Sequence, residues 1–398
     1  MVYALIIIAL LLILLGLVWL DFRLGRRSLI INEEPIEPLV RESRMQLLTT
    51  GDHFVECLMQ DLFHAEKHIH MLFYIFRDDH IGQKIIDLLE LKAKQGVKVR
   101  LMVDMFGCKI SFRNKRKLKK AGVKLHLTPP LSFPYFFFKL NQRNHRKIVI
   151  CDSKVAYFGG YNIGDEYLGR DPKFGRWRDL HIRMQGNGVQ DLQKSFLNDW
   201  EDVCHKSFED ASFYPALQPG TQKLIMFPTN GLFLEEQQLK HIEAVKHSLT
   251  IATAYFIPSE RMMKALIQAT KRGVQIKIIL PKKSDHPLVR EAAFPYFDSL
   301  LRSGVQIYQY YRGFFHTKAI LFDHDAAYLG TANFDKRSFF INLEQNSYIY
   351  DKDFIKLIAA EIDYDISISH QLTMEEYQKR SLYFRLKEKI ASAVSDFL

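Results

Sequence analysis

Apolar residues run without a charged interruption from Val2 to Leu20, "VYALIIIALLLILLGLVWL". As a helix this stretch spans about 28 Å, close to the roughly 30 Å hydrocarbon core of a bilayer. No Lys or Arg precedes it and no small-x-small site ends it, so it reads as an anchor rather than a cleaved signal. Arg23, Arg26 and Arg27 follow at once, and Trp19 sits where an interfacial aromatic belongs. That flank predicts a single-pass protein of the cell membrane with its body on the cytoplasmic side. The anchor is expected over 1–22. A linker is expected over 23–44, where "INEEPIEPLV" (31–40) is acidic and holds two prolines.

Beyond the linker the pattern changes to short branched apolar runs separated by mixed polar and apolar stretches. "KQGVKVRLMVD" (94–104) and "KRGVQIKIILP" (271–281) each read as a basic helix end, a capping glycine and a buried strand. "KKAGVKLHL" (119–127) and "LRSGVQIYQY" (301–310) repeat that step later in each half. Strands alternating with helices predict an α/β fold, and the recurrence predicts two duplicated lobes over 45–220 and 221–398. Each lobe is expected to be a mostly β sheet flanked by helices, with one active site at a pseudo-two-fold interface.

The most specific repeat is "HRKIVICDSKVAYFGGYNIG" from His145, met again as "HTKAILFDHDAAYLGTANFD" from His316. Both contain His, Lys, Asp, Gly and Asn at identical spacing: His145, Lys147, Asp152, Gly159 and Asn162, then His316, Lys318, Asp323, Gly330 and Asn333. On a strand, His and Lys two apart project from one face. Lys and Asn are donors for non-bridging phosphate oxygens, whose charge grows as phosphorus becomes five-coordinate. One imidazole can attack phosphorus while a second protonates the departing alkoxide. In-line displacement needs both, on opposite sides of one phosphate, so each copy is expected to supply half of a single site.

The doubled pattern resembles the phospholipase D superfamily. "GGYNIGDEYLGRD", "WRDLHIRMQG", "GTANFDKRSFFINLEQNSYIYD" and "SDHPLVREAAFPYFDSLLRSGVQIYQY" make it similar to the bacterial cardiolipin synthases, over about residues 45 to 350. The resemblance implies a phosphatidyltransferase that joins two phosphatidylglycerols into cardiolipin and glycerol through a phosphatidyl-histidine. It implies His145, Lys147, Asp152, His316, Lys318 and Asp323 as the catalytic set, with His145 favoured as nucleophile. Asn162 and Asn333 would help hold the phosphate, and the distance of Asp152 and Asp323 along the strand leaves a structural role open to them. Glu344 and Asp179 would orient the histidines, and no metal or cofactor is implied. One membrane span rather than two, and Thr331 where many members carry Ser, depart from the family pattern.

Composition bears on the partner. A net charge of +10 and a pI near 9.2 suggest an anionic surface, lipid or nucleic acid. The anchor, the aromatic-rich stretches before each motif and the synthase-like flanks favour lipid, with no nucleic acid expected. A hydrolytic phospholipase D or a nuclease on the same scaffold is the alternative, and a membrane-tethered binding protein the third. The scattered Cys57, Cys108, Cys151 and Cys204 suggest neither a zinc site nor a disulfide framework. "RNKRKLKKAGVK" (113–124) reads as a solvated basic face, and the segment 377–398 as an amphipathic helix docked on the body.

Overall fold

The computed structural model describes residues 2–32, 39–130, 133–206, 210–393 and 395. Among these, a 15-stranded sheet runs through both halves. At its middle the strands Val40–Leu48 and Gln222–Asn230 pair antiparallel. Outward from the first come His181–Gly186, Val155–Gly159, Ile148–Cys151, His68–Phe73, Lys98–Asp104 and Lys124–Thr128. Outward from the second come Leu343–Ile349, Ala326–Gly330, Ala319–Phe322, Ser248–Ala252, Gln275–Pro281 and Gln306–Tyr310, with His370–Leu372 at the edge. Leaving aside the edge strand His370–Leu372, the two orders match strand for strand. Repetition in the sequence has become pseudo-two-fold symmetry about the central pair.

In each half the three strands shared with the βαβ units are parallel, and the inner strands are antiparallel. The parallel strands are reached through helices His80–Lys94 and Glu260–Lys271. Just past their ends Gly96 and Gly273 take φ of 93° and 91°, the left-handed turn that a β-carbon would strain. His68–Phe73 is buried at every position, as a strand covered on both faces must be.

One face of the sheet carries a core common to both lobes. Phe196 and Trp200 of helix Gly188–Cys204 share it with Phe354, Ile358 and Ile362 of helix Lys352–Ser367. On the other face each lobe has its own core. The seam is held by buried ion pairs as well as apolar packing: Arg178 of the first lobe bonds Asp365 of the second at 2.7 and 2.8 Å.

The amino-terminal helix runs from Val2 to Asn32, about 46 Å at 1.5 Å per residue. Within it, Leu5–Asn32 is long and apolar enough to cross a membrane, and its apolar side chains are exposed. Helix therefore continues past residue 22, and strand begins at Val40, so the linker expected over 23–44 is corrected at both ends. Of that linker, 33–38 lie outside the described residues. The helix end is docked on the body. Asp21 accepts from the Phe138 amide at 2.8 Å, Arg26 donates to the Gly231 and Phe340 carbonyls, and Phe22 packs edge-on against Phe138.

The carboxyl-terminal segment forms helices Met374–Gln378 and Leu382–Ala393. Phe384 packs on Phe294 while Leu382, Tyr383, Leu386 and Ile390 remain exposed.

Candidate active site

The two motif histidines lie in the segments leading into Ile148–Cys151 and Ala319–Phe322, not on the strands themselves. Each segment is bonded to the opposite lobe. The His145 amide donates to the Leu343 carbonyl and Leu343 to the Arg143 carbonyl, both at 2.9 Å. The His316 amide donates to the Arg178 carbonyl at 2.8 Å, and Gly313–Phe315 pairs in parallel with Arg176–Arg178. These crossed bonds bring both histidines to the wall of one cavity of about 1000 Å³, along with Asn162 and Asn333.

The orienting carboxylates also cross. His145 Nδ1 lies 2.9 Å from Oε2 of Glu344, which belongs to the second lobe. His316 Nδ1 lies 2.5 Å from Oδ2 of Asp179, which belongs to the first. An ionised carboxylate only accepts, so each ring carries its proton on Nδ1 and leaves Nε2 with a free lone pair. Glu344 also accepts from the Thr331 hydroxyl at 2.5 Å. At the matching place in the first lobe stands Gly160, where a β-carbon would meet Asp179 Oδ1 at 2.0 Å. The residue after the motif glycine thus fits its carboxylate in both halves, by a hydroxyl donor in one and by empty space in the other.

Burial pushes both imidazoles down to about 4, with the lysines adding to the fall and the carboxylates opposing it. Both rings are therefore neutral near pH 7. Glu344 and Asp179 are held below their ordinary carboxylate values, since the neighbouring His and Lys charges outweigh the cost of burial. Burial lowers Lys147 to about 7 and Lys318 to about 8.

Lys147 and Lys318 lie beneath the cavity wall. Lys147 Nζ donates to the carbonyl of His145 at 2.7 Å, and Lys318 Nζ likewise to that of His316. The simple strand alternation expected for His and Lys is corrected, because neither pair sits in a ladder. Asn162 accepts from the Ile75 amide at 3.0 Å, which leaves its amide nitrogen as the group to offer a ligand.

Asp152 and Asp323 do not join the site. Asp152 accepts from the amides of Glu66, Lys67 and His68 at 2.7 to 2.9 Å. Asp323 does the same for Lys246, His247 and Ser248. Both take positive φ at the tip of the hairpin that follows the motif strand, where a short polar side chain is tolerated. Their catalytic placement is corrected: the strand carries them to the far end of the sheet, where they fix the start of its neighbour.

Several wall residues were not singled out in the sequence. The Tyr74 ring packs edge-on to His145 at 5.0 Å, and Trp177 lies 5.0 Å from His316. Tyr255 follows its strand as Tyr74 does, and its hydroxyl bonds Asp285 at 2.7 Å. The recurrence of Tyr in "LFYIF" and "ATAYFI" is the signal that could have found the pair. Arg143 and Arg337 also line the cavity, with no counterpart in the repeat to mark them.

Such a site can do in-line substitution at phosphorus: a bare Nε2 from either lobe, a carboxylate behind each ring, and amide and ammonium donors around them. A family model described as "Cardiolipin synthase, PLD-like domain" matches residues 58–200 and 239–366. The minor cardiolipin synthase of Bacillus subtilis (strain 168) is 42% identical over 99% of both chains. The major cardiolipin synthase of the same organism is 37% identical over 95% of this chain and 82% of its own. Among solved structures, phosphatidylserine synthase of Haemophilus influenzae Rd KW20 superposes with a TM-score of 0.70 at 15% identity, over 94% of this chain and all of that one. Two lobes of matched topology, two motif histidines on one cavity and near-full-length identity to these synthases agree: the chain belongs to the phospholipase D-like cardiolipin synthase family of phosphatidyltransferases.

Proposed function

We propose that this chain transfers the phosphatidyl group of one phosphatidylglycerol to the free hydroxyl of another, at the cytoplasmic face of the membrane. What carries the reading is the pair of histidines on one cavity, each backed by a carboxylate from the other lobe. His145 Nε2 attacks the first phosphorus, and the N–P bond forms as the bond to the glycerol oxygen breaks. His316, protonated on Nε2, gives its proton to that oxygen and glycerol leaves. The neutral His316 then takes the proton of the acceptor hydroxyl as its oxygen displaces His145, and cardiolipin is released. Asn162, Asn333, Lys147 and Lys318 stabilise the charge at phosphorus throughout.

Burial holds both rings neutral, so the acid proton is taken up when an anionic phosphodiester enters and favours the imidazolium. One phosphodiester replaces another, so the outcome against hydrolysis is set by excluding water. Tyr74, Trp177, Phe106 and Phe174 supply apolar wall for that purpose.

The experiment uses the full-length protein in phosphatidylglycerol vesicles with the products separated. Cardiolipin and glycerol in equal amounts are expected. Phosphatidic acid as the main product would replace transfer by hydrolysis, and cleavage of nucleic acid without any lipid product would overturn the substrate class.

A further inference from the structure

The symmetry that places the two histidines does not extend to the rest of the wall. Counted by the spacing of the doubled motif, Arg143 corresponds to Phe314, and Arg337 to Glu166. On the His316 side Phe314 lies tilted to the ring, centroids 5.9 Å apart, and Glu166 is bonded to Arg77 through both oxygens at 2.9 and 2.8 Å. On the His145 side stand two guanidiniums. Both line the cavity with Tyr74, whose ring packs against His145; burial lowers the Arg143 guanidinium, and the carboxylate of Asp104 opposes that fall. Two guanidiniums thus line the cavity, Arg143 paired with the buried Asp104 and Arg337 bonded to Asn141, where the symmetry mate has an apolar ring and a carboxylate-bound arginine.

Their supports place them on the side of the anchor. Arg337 donates to the side chain and carbonyl of Asn141 at 3.0 and 2.9 Å. Arg143 bonds Asp104 at 3.3 Å and the carbonyls of Lys139 and Leu140. Lys139 to Asn141 close the short helix Phe136–Asn141, the element on which the amino-terminal helix docks.

We infer that Arg143 and Arg337 bind the phosphodiester of the second phospholipid, the one whose hydroxyl attacks. This rests on the function proposed above. The histidine site accounts for one phosphate, but the acceptor carries another, which stays intact and must be seated for its hydroxyl to reach phosphorus. Guanidiniums suit it, since they stay charged when buried and can donate two bonds to a pair of phosphate oxygens. The acceptor would enter from the membrane side, and the released glycerol would leave past the His316 wall.

Two reactions separate the two phosphates. Exchange of labelled glycerol into phosphatidylglycerol needs only the donor phosphate, whereas cardiolipin formation needs both. In the full-length protein Arg337→Gln is expected to lower cardiolipin formation at least tenfold more than exchange, with a raised KM for phosphatidylglycerol in synthesis alone. Arg337→Lys keeps the charge and should restore most of the ratio. Arg143→Gln serves as the second variant, because Arg337 also ties the lobes together. Equal losses in both reactions, or no loss in either, would overturn the acceptor site while leaving the function intact. A parent protein that yields neither cardiolipin nor exchange would instead remove the function, and this inference with it.

Discussion

Replacing Glu344 by Gln tests the charge behind His145 with little change in shape. In the resting site the neutral ring donates Nδ1–H to Glu344 Oε2 at 2.9 Å. When Nε2 bonds to phosphorus the ring becomes cationic, and its charge centre then lies about 4 Å from the carboxylate. At an effective dielectric of about 20, unit charges at that separation attract by about 4 kcal/mol. Most of this appears only as the bond forms, so its loss raises the barrier rather than weakening substrate binding. At about 1.4 kcal/mol per factor of ten, turnover should fall by about 10²–10³.

The fold should tolerate the exchange. A Gln oxygen at the Oε2 position still accepts from His145 and from the Thr331 hydroxyl, and its amide nitrogen then faces Asn342. Asn342 Oδ1 has no partner among the described residues, so a turn of that amide supplies an acceptor. Single-turnover formation of the phosphatidyl-enzyme, measured beside thermal unfolding and vesicle binding, separates these effects. Turnover within threefold of the parent, or a loss matched by a comparable fall in stability, would refute the assigned role of Glu344.

Asp152→Asn and Asp323→Asn should lower stability by about 2 kcal/mol each, from charge-assisted bonds to three amides, with kcat within twofold below the melting range; calorimetry and a rate at low temperature check both. Gly160→Ala should cost at least tenfold in kcat, because the added carbon stands 2.0 Å from Asp179 Oδ1 and must push that carboxylate off His316; normal turnover would show that the carboxylate does not orient the ring. Stability should also fall as pH drops from about 6.5 towards 4. Unfolded histidine takes up a proton in that range while His145 and His316 stay neutral, at a cost of about 1.4 kcal/mol per pH unit for each. His68 is lowered to about 4 in the same way, so a His145→Gln, His316→Gln double variant should reduce the slope of denaturant midpoint against pH without abolishing it.

What could be read from the sequence was whatever repeats or is local. The glycines after basic helix ends, the branched apolar runs and the doubled motif sit within short windows, and duplication gave each a second witness. That sufficed for two α/β lobes and a shared site. It did not suffice for the direction of a side chain. Lys147 and Lys318 turn back to their own histidine carbonyls, from segments that lie just before the strands. The anchor helix outlasts its apolar run, since Asp21 and Arg26 find partners on the body and leave no reason for the helix to end at the membrane surface. Arg143 and Arg337 escaped notice because the repeat, which marked the histidines and their flanks, does not include them.

The crossing of the two halves accounts for why the motif had to be doubled rather than merely paired. A lobe on its own would own a histidine but not the carboxylate that sets its tautomer, nor the strand that holds its backbone. His145 depends on Leu343 and Glu344, and His316 on Arg178 and Asp179. Each orienting residue follows directly the one that makes the backbone bond, so a single strand from the opposite lobe fixes both the position and the protonation of the ring. Arg146 and Arg178 repeat the logic one residue away, bonding Asn230 at 2.5 Å and Asp365 at 2.7 Å across the same seam. Any motion that opened the seam would release ring, proton and phosphate together. The two lobes must therefore act as one body during the transfer.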